Sequence, residues 1–180
     1  MKRKISKEIT IPEGVQIESS GSTITVKGKE GELKRKFGSK NIIFRKENSK
    51  FFIECKKATK NEKKRINTIN AHVKNMIKGV QEGFEYKLKI CSSHFPMTVE
   101  VKGRDISVKN FLGEKIPRVS KLPEGADIEI KGDVITVKAL DKELAGQTAA
   151  AIERITKIRE KDRRVFQDGI FIVEKGGVKI

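Results

Sequence analysis

Ile11-Pro-Glu-Gly-Val-Gln-Ile-Glu-Ser-Ser-Gly-Ser-Thr-Ile-Thr-Val-Lys27 aligns without a gap on Leu122-Pro-Glu-Gly-Ala-Asp-Ile-Glu-Ile-Lys-Gly-Asp-Val-Ile-Thr-Val-Lys138, with ten of 17 positions identical. The shared residues have structural tasks. Pro-Glu-Gly makes a turn, Ile17 or Ile128 starts a strand, Gly21 or Gly132 turns it, and Ile24/Val26 or Ile135/Val137 line one face of the return strand. Glu32-Leu33 and Glu143-Leu144 keep the same offset of 111, so the reading extends the repeat to them. Turn residues and alternation coincide in register, and the chain reads as two related halves.

Outward from the first hairpin, Asn41 to Arg45 and Lys50 to Lys56 are strand-like runs around the turn Lys46-Glu47-Asn48-Ser49. From Asn61 the period changes. Ile66, Ile69, Val73, Met76/Ile77 and Val80 recur at three and four, which predicts a helix of about five turns ended by Gly79 and Gly83. The second half repeats the stripe with Leu144, Thr148, Ile152, Ile155 and Ile158, with Asp141 as N-cap. Between them Phe84, Tyr86, Leu88 and Ile90 alternate, and Val99/Val101 and Ile106/Val108 form a hairpin around Lys102-Gly103-Arg104-Asp105. The predicted class is α+β: two tandem duplicated domains, 1–82 and 83–180, each a mainly antiparallel sheet packed against one main helix.

Composition agrees with sheet. The chain holds 23 Ile against 6 Leu, and side chains branched at Cβ pack well on a pleated surface. Cys55 and Cys91 sit in apolar stretches and read as reduced core residues. No long apolar run follows the basic N-terminus, so neither a membrane span nor export is expected and the protein is placed in the cytoplasm. Neither histidine, His72 or His94, has a nearby Ser, Cys or carboxylate to orient it as a base, which speaks against an enzyme. Close Cys and His pairs are absent, and Gly21 to Lys29 fails the phosphate-loop spacing; no metal or cofactor is predicted.

What remains is positive charge. Forty Lys and Arg against 24 Asp and Glu give +16, which attracts polyanions and makes nucleic acid the expected partner. Residues 1 to 90 hold 23 basic and 10 acidic residues, residues 91 to 180 hold 17 and 14. The densest run backed by an aromatic and glycines is nevertheless Arg154 to Arg164, followed by Val165-Phe166-Gln167-Asp168-Gly169 and by Lys175-Gly176-Gly177. Lys and Arg there suit phosphates, the glycines allow close backbone approach, and Phe166 either stacks on a base or packs. Lys63-Lys64-Arg65 opposes the dipole at a helix start, a cost that a polyanion relieves unless the run is simply solvated.

Several motifs together resemble the large-subunit ribosomal protein six family in its archaeal-type form. They are the duplicated Pro-Glu-Gly strands, Asn75-Met76-Ile77-Lys78-Gly79-Val80 with Gly83-Phe84, and His94-Phe95-Pro96. Asn110-Phe111-Leu112-Gly113-Glu114-Lys115, Gln147-Thr148-Ala149-Ala150, Lys161-Asp162-Arg163-Arg164 with Phe166, Asp168-Gly169-Ile170 and Glu174-Lys175-Gly176 complete the set. The resemblance implies a structural protein of the large ribosomal subunit, with its second domain on rRNA at or beside the sarcin-ricin loop. Neighbouring ribosomal proteins and, nearby, translational GTPases are the other implied partners; no homo-oligomer is expected. The rRNA-facing residues are then Lys157, Arg159, Lys161, Arg163, Arg164, Phe166, Gln167, Asp168, Gly169, Lys175, Gly176 and Gly177. His94, Asn110, Phe111, Gly113, Lys115 and Arg118 are weaker candidates. A general DNA-compacting protein, a scaffold for an acidic partner and an RNA-acting enzyme are the rival readings.

Overall fold

A computed structural model describes residues 3–38, 41–93 and 95–180. The chain divides into two compact units, residues 1–83 and 84–180. Each is α+β with antiparallel sheets.

In the first unit the repeated segment forms the hairpin β2 (Gln16–Ser20) and β3 (Thr23–Lys27), extended by β4 (Glu32–Lys36) into the sheet β2-β3-β4. Strand β1 (Arg3–Thr10), β5 (Ile43–Glu47) and β6 (Lys50–Ala58) form a second sheet with β6 central. Helix α1 (Lys60–Glu82) follows. Thr59 caps it by accepting from Asn61 N–H, while the Glu62 carboxylate accepts from Thr59 N–H at 2.9 Å, a reciprocal arrangement that satisfies helix-end donors. Ile66, Ile69, Val73, Met76, Ile77 and Val80 are all buried against Ile17, Ile24, Val26, Phe51, Ile53 and their neighbours. Gly79 does not end the helix. It lies buried inside the last turn, where its carbonyl accepts from Gly83 N–H at 2.9 Å, and only Gly83, at φ 70°, stops it.

Gly28 explains the glycine-rich stretch after β3. A Cβ there would lie 2.7 Å from the carbonyl oxygen of Val80, and Glu30 N–H donates to that same oxygen at 3.0 Å. The turn is pressed onto the end of α1, so close backbone packing accounts for the glycine.

In the second unit β7 (Phe84–Cys91) runs through the centre of a five-stranded sheet ordered β11-β12-β7-β13-β14, with β11 (Asp127–Lys131), β12 (Val134–Ala139), β13 (Gly169–Lys175) and β14 (Val178–Lys179). A smaller sheet joins β8 (Thr98–Lys102), β9 (Asp105–Lys109) and β10 (Arg118–Lys121). Helix α2 (Lys142–Ile155) is capped by Asp141, which accepts from Glu143 N–H at 2.9 Å. Its Ala145, Ala149 and Ile152 pack on Tyr86, Leu88, Ile135, Val137 and Ile170. Ile158 lies beyond the helix.

The hairpins of the repeat share their register, Ile17 opposite Val26 and Ile128 opposite Val137. The extension to Glu32-Leu33 and Glu143-Leu144 does not hold structurally. Leu33 is on a strand and Leu144 in a helix, because the chain turns directly into α2 after β12 but adds three strands before α1.

Candidate nucleic-acid interface

Residues 156–168 connect α2 to β13 without regular structure. Irregular segments of that length in a compact unit are usually functional or disordered, and this one is pinned at both ends. Thr156, buried, accepts from Ile170 N–H at 2.9 Å, and the Glu153 carboxylate accepts from Ile172 N–H at 3.2 Å, tying the end of α2 to β13. At the other end Asp168 is 5% exposed and accepts from Ser93 N–H at 2.7 Å and Ser93 Oγ–H at 2.5 Å, tying the segment to the loop after β7. Between these pins Asp162 organises a turn. Its carbonyl accepts from Val165 and Phe166 N–H, and its carboxylate accepts from Arg164 N–H and from the Arg164 guanidinium at 2.8 Å. The hydrogen-bonded Arg164 guanidinium holds that carboxyl below the usual aspartate range.

The pinned segment walls an open groove of about 1330 Å³ whose rim carries Lys89, Arg154, Lys157, Arg159, Arg163 and Arg164. Acidic residues there are fewer: Asp133, Glu153, and Asp168, the last two engaged as described. Phe166 lines the same groove, 37% exposed, with Lys161 Nζ 4.8 Å from its ring centroid. A second, smaller concavity of about 690 Å³ lies beside it, and Arg154, Lys157 and Arg159 border both. Lys157, Arg159 and Arg163 are exposed and make no ion pair among the described residues, whereas Arg164 is paired with Asp162. An open, cationic, partly aromatic groove suits a phosphodiester chain better than a small metabolite.

The family model for ribosomal protein L6 matches residues 11–83 and 95–169, one segment in each unit. The chain belongs to the ribosomal protein L6 family. It is 49% identical over 176 residues to the large ribosomal subunit protein uL6 of Staphylothermus marinus, covering 96% of this chain and 95% of that one. It is similarly 46% identical over 173 residues to that of Methanococcus vannielii (96% and 95%), and 44% identical over 171 residues to that of Methanobrevibacter smithii (95% and 96%).

The family's second matched segment takes in the whole pinned loop and stops at Gly169, leaving Lys175, Gly176 and Gly177 outside. The structure separates them too. Gly169 pairs with Cys91 at one end of β7, whereas Lys175 pairs with Tyr86 near the other, about 17 Å away along an extended strand. Gly176 and Gly177, at φ 57° and 88°, form the two-residue turn between β13 and β14, where positive φ at both positions matches the strand twist. The turn itself requires these glycines, whether or not RNA approaches it.

Four other candidate residues are engaged within the fold. Phe111 is fully buried in the core of its unit, and Asp168 and Gly169 are buried as well. Arg118 is committed internally: it donates to Glu114 at 2.8 and 2.6 Å and to the carbonyls of Ile155 and Lys157 at 2.9 and 3.2 Å, with its guanidinium 4.4 Å over the Phe111 ring. Its hydrogen bonds hold the Glu114 carboxyl below the usual glutamate range. Arg118 therefore closes the carbonyl end of α2 and fixes the start of the basic segment. Gln167 is exposed and donates to the Arg164 carbonyl at 3.1 Å.

Asn110, Gly113 and Lys115 are exposed on the turn before β10; Asn110 donates to the Pro96 carbonyl at 3.0 Å, and the Phe95 ring lies over Gly113. His94 lies outside the described residues. Sequence reasoning does not single out Lys89 and Lys121, which join the groove and its neighbour. Alternation along β7 puts Lys89 on the face opposite Leu88 and Ile90, a signal that points to exposure but to no particular partner.

Proposed function

We propose that this chain is a structural, non-catalytic component of the large ribosomal subunit, working in the cytoplasm, whose second unit grips folded rRNA through the groove beside Lys157–Arg164. The observation that carries the reading is the pinned basic segment: three cations without an ion pair among the described residues, Lys157, Arg159 and Arg163, presented on a loop that Thr156, Asp168 and Arg118 hold in place. Preorganised cations meet phosphates without the ordering cost that mobile ones incur. Placement at or beside the sarcin-ricin loop, close to where translational GTPases act, follows from the family resemblance, and membership of the large subunit is supported by the names of the relatives.

The test is incorporation into large subunits. Wild-type protein should co-sediment stoichiometrically with them and protect one rRNA site. The double variant Lys157→Gln/Arg163→Gln should bind more weakly, its salt slope reduced by roughly 0.7 to 0.9 for each phosphate no longer neutralised. An unchanged slope removes these residues from the interface, and protection of an rRNA site remote from the sarcin-ricin loop removes that placement.

A further inference from the structure

The first unit has a cationic surface that the groove does not use. With its buried stripe on one side, α1 turns the opposite side to solvent along its whole length, about 34 Å for 23 residues. Lys60, Lys63 and Lys64 occupy the first part of that exposed face and Lys74 a later part. Asn67, Thr68 and Ala71 lie between, also exposed. No carboxylate stands on the helix between Glu62 and Glu82, and Glu62 is taken up in the cap. Among the described residues Lys60, Lys63, Lys64 and Lys74 make no ion pair, although elsewhere in this unit Lys34 pairs with Glu32 at 2.8 Å and Lys50 with Glu8 at 3.4 Å. Three lysines at the positive end of a helix dipole are an unfavourable placement in isolation, and a bound polyanion offsets it.

The spacing selects the polyanion. Lys64 and Lys74 are about 15 Å apart along the axis, with a low, polar stretch between them. A-form RNA has a wide, shallow minor groove bordered by two phosphate rows and floored with 2′-hydroxyls. The minor groove of B-form DNA is too narrow to admit a helix, and its major groove, which does admit one, presents base edges and no 2′-hydroxyls. Asn67 carries both donors and acceptors for 2′-hydroxyls, Thr68 Oγ1, which donates to the Lys64 carbonyl at 3.0 Å, keeps its lone pairs as acceptors, and Ala71 allows close approach.

We propose that the solvent face of α1 docks across the minor groove of an RNA duplex, with Lys60, Lys63 and Lys64 on one phosphate row and Lys74 on the other. This rests on the proposed ribosomal role only for RNA as the partner; it concerns a different unit and a different RNA shape.

The test uses the full chain, a short blunt-ended RNA duplex without ribosomal sequence, and the DNA duplex of the same sequence, titrated across a salt series. The RNA duplex should bind several-fold more tightly. Lys63→Gln/Lys64→Gln/Lys74→Gln, which preserves helix propensity and whose fold is checked by circular dichroism, should lower the salt slope by roughly 2 to 3. Ala71→Glu should abolish the RNA preference, and Arg163→Gln should leave duplex binding by α1 in place. Equal affinity for DNA, or an unchanged slope in the folded triple variant, overturns the proposal. Either result leaves the groove reading standing, since that one is tested separately, by the wild-type protein's incorporation into large subunits and the rRNA binding of Lys157→Gln/Arg163→Gln.

Discussion

Asp168 carries more of the architecture than its place beside a basic run indicates. Asp168 is itself buried, and its carboxylate accepts two hydrogen bonds from Ser93, an exposed residue 75 positions away. Asp168→Ala leaves the Ser93 amide without that acceptor, and a loss of about 1–3 kcal/mol is expected, to be read from urea denaturation. A variant as stable as wild type would mean that the loop is held by other interactions. The acidic residue is visible in the sequence, but its burial depends on a partner brought in by the β7–β13 pairing, and no local pattern announces that. Arg118 is the same case: in the sequence it is one more cation near a glycine turn, and only the fold gives it Glu114, Phe111 and two helix-end carbonyls. By contrast Lys157, Arg159 and Arg163 are legible as exposed cations because they belong to the dense basic run Arg154 to Arg164 and fall off the apolar positions Ile155 and Ile158.

Helix α1 has a start that can be tested by pH. Hydrogen bonds from the Thr59 side chain and backbone hold the Glu62 carboxyl below the ordinary glutamate range. The folded state thus binds this proton more weakly than the unfolded chain does. The contribution is fully present above the unfolded value, including at neutral pH, and is lost as pH falls through the lower folded value. The difference in melting temperature between wild type and Glu62→Gln should accordingly shrink as pH falls from neutral through the folded value, below which the carboxylate is protonated in both states. A constant difference would mean that the charge plays no part in the cap. Thr59→Ala should cost about 0.5–2 kcal/mol at neutral pH. Elements of this kind are largely readable, since the 3.6-residue stripe from Ile66 to Val80 and the alternation from Phe84 to Ile90 each report a face directly. The limits of the repeat are less so. Glu143-Leu144 keeps the offset from Glu32-Leu33, yet Asp141 caps a helix there and the matching dipeptide stays in a strand. Local capping chemistry overrides an inherited spacing.

At the scale of the molecule, the two buried clusters share no residue: one runs from Ile9 to Val80 and the other from Phe84 to Ile170. Every side chain lining the groove lies between Lys89 and Phe171, and every lysine of the proposed duplex-binding face lies on α1. Units of this size bury enough surface to fold without partners. Fragments 1–83 and 84–180 should therefore each unfold cooperatively on their own, with dispersed amide resonances. The second fragment should retain the rRNA salt slope due to Lys157 and Arg163, and the first should retain the preference for RNA over DNA duplexes. If fragment 84–180 instead melts without a transition, the units depend on each other for stability, because β7 begins at the residue directly after Gly83 and cutting there removes the helix end that precedes it. A cooperative fragment that no longer binds rRNA has a different meaning: its core is self-sufficient, and the groove needs the first unit to hold RNA.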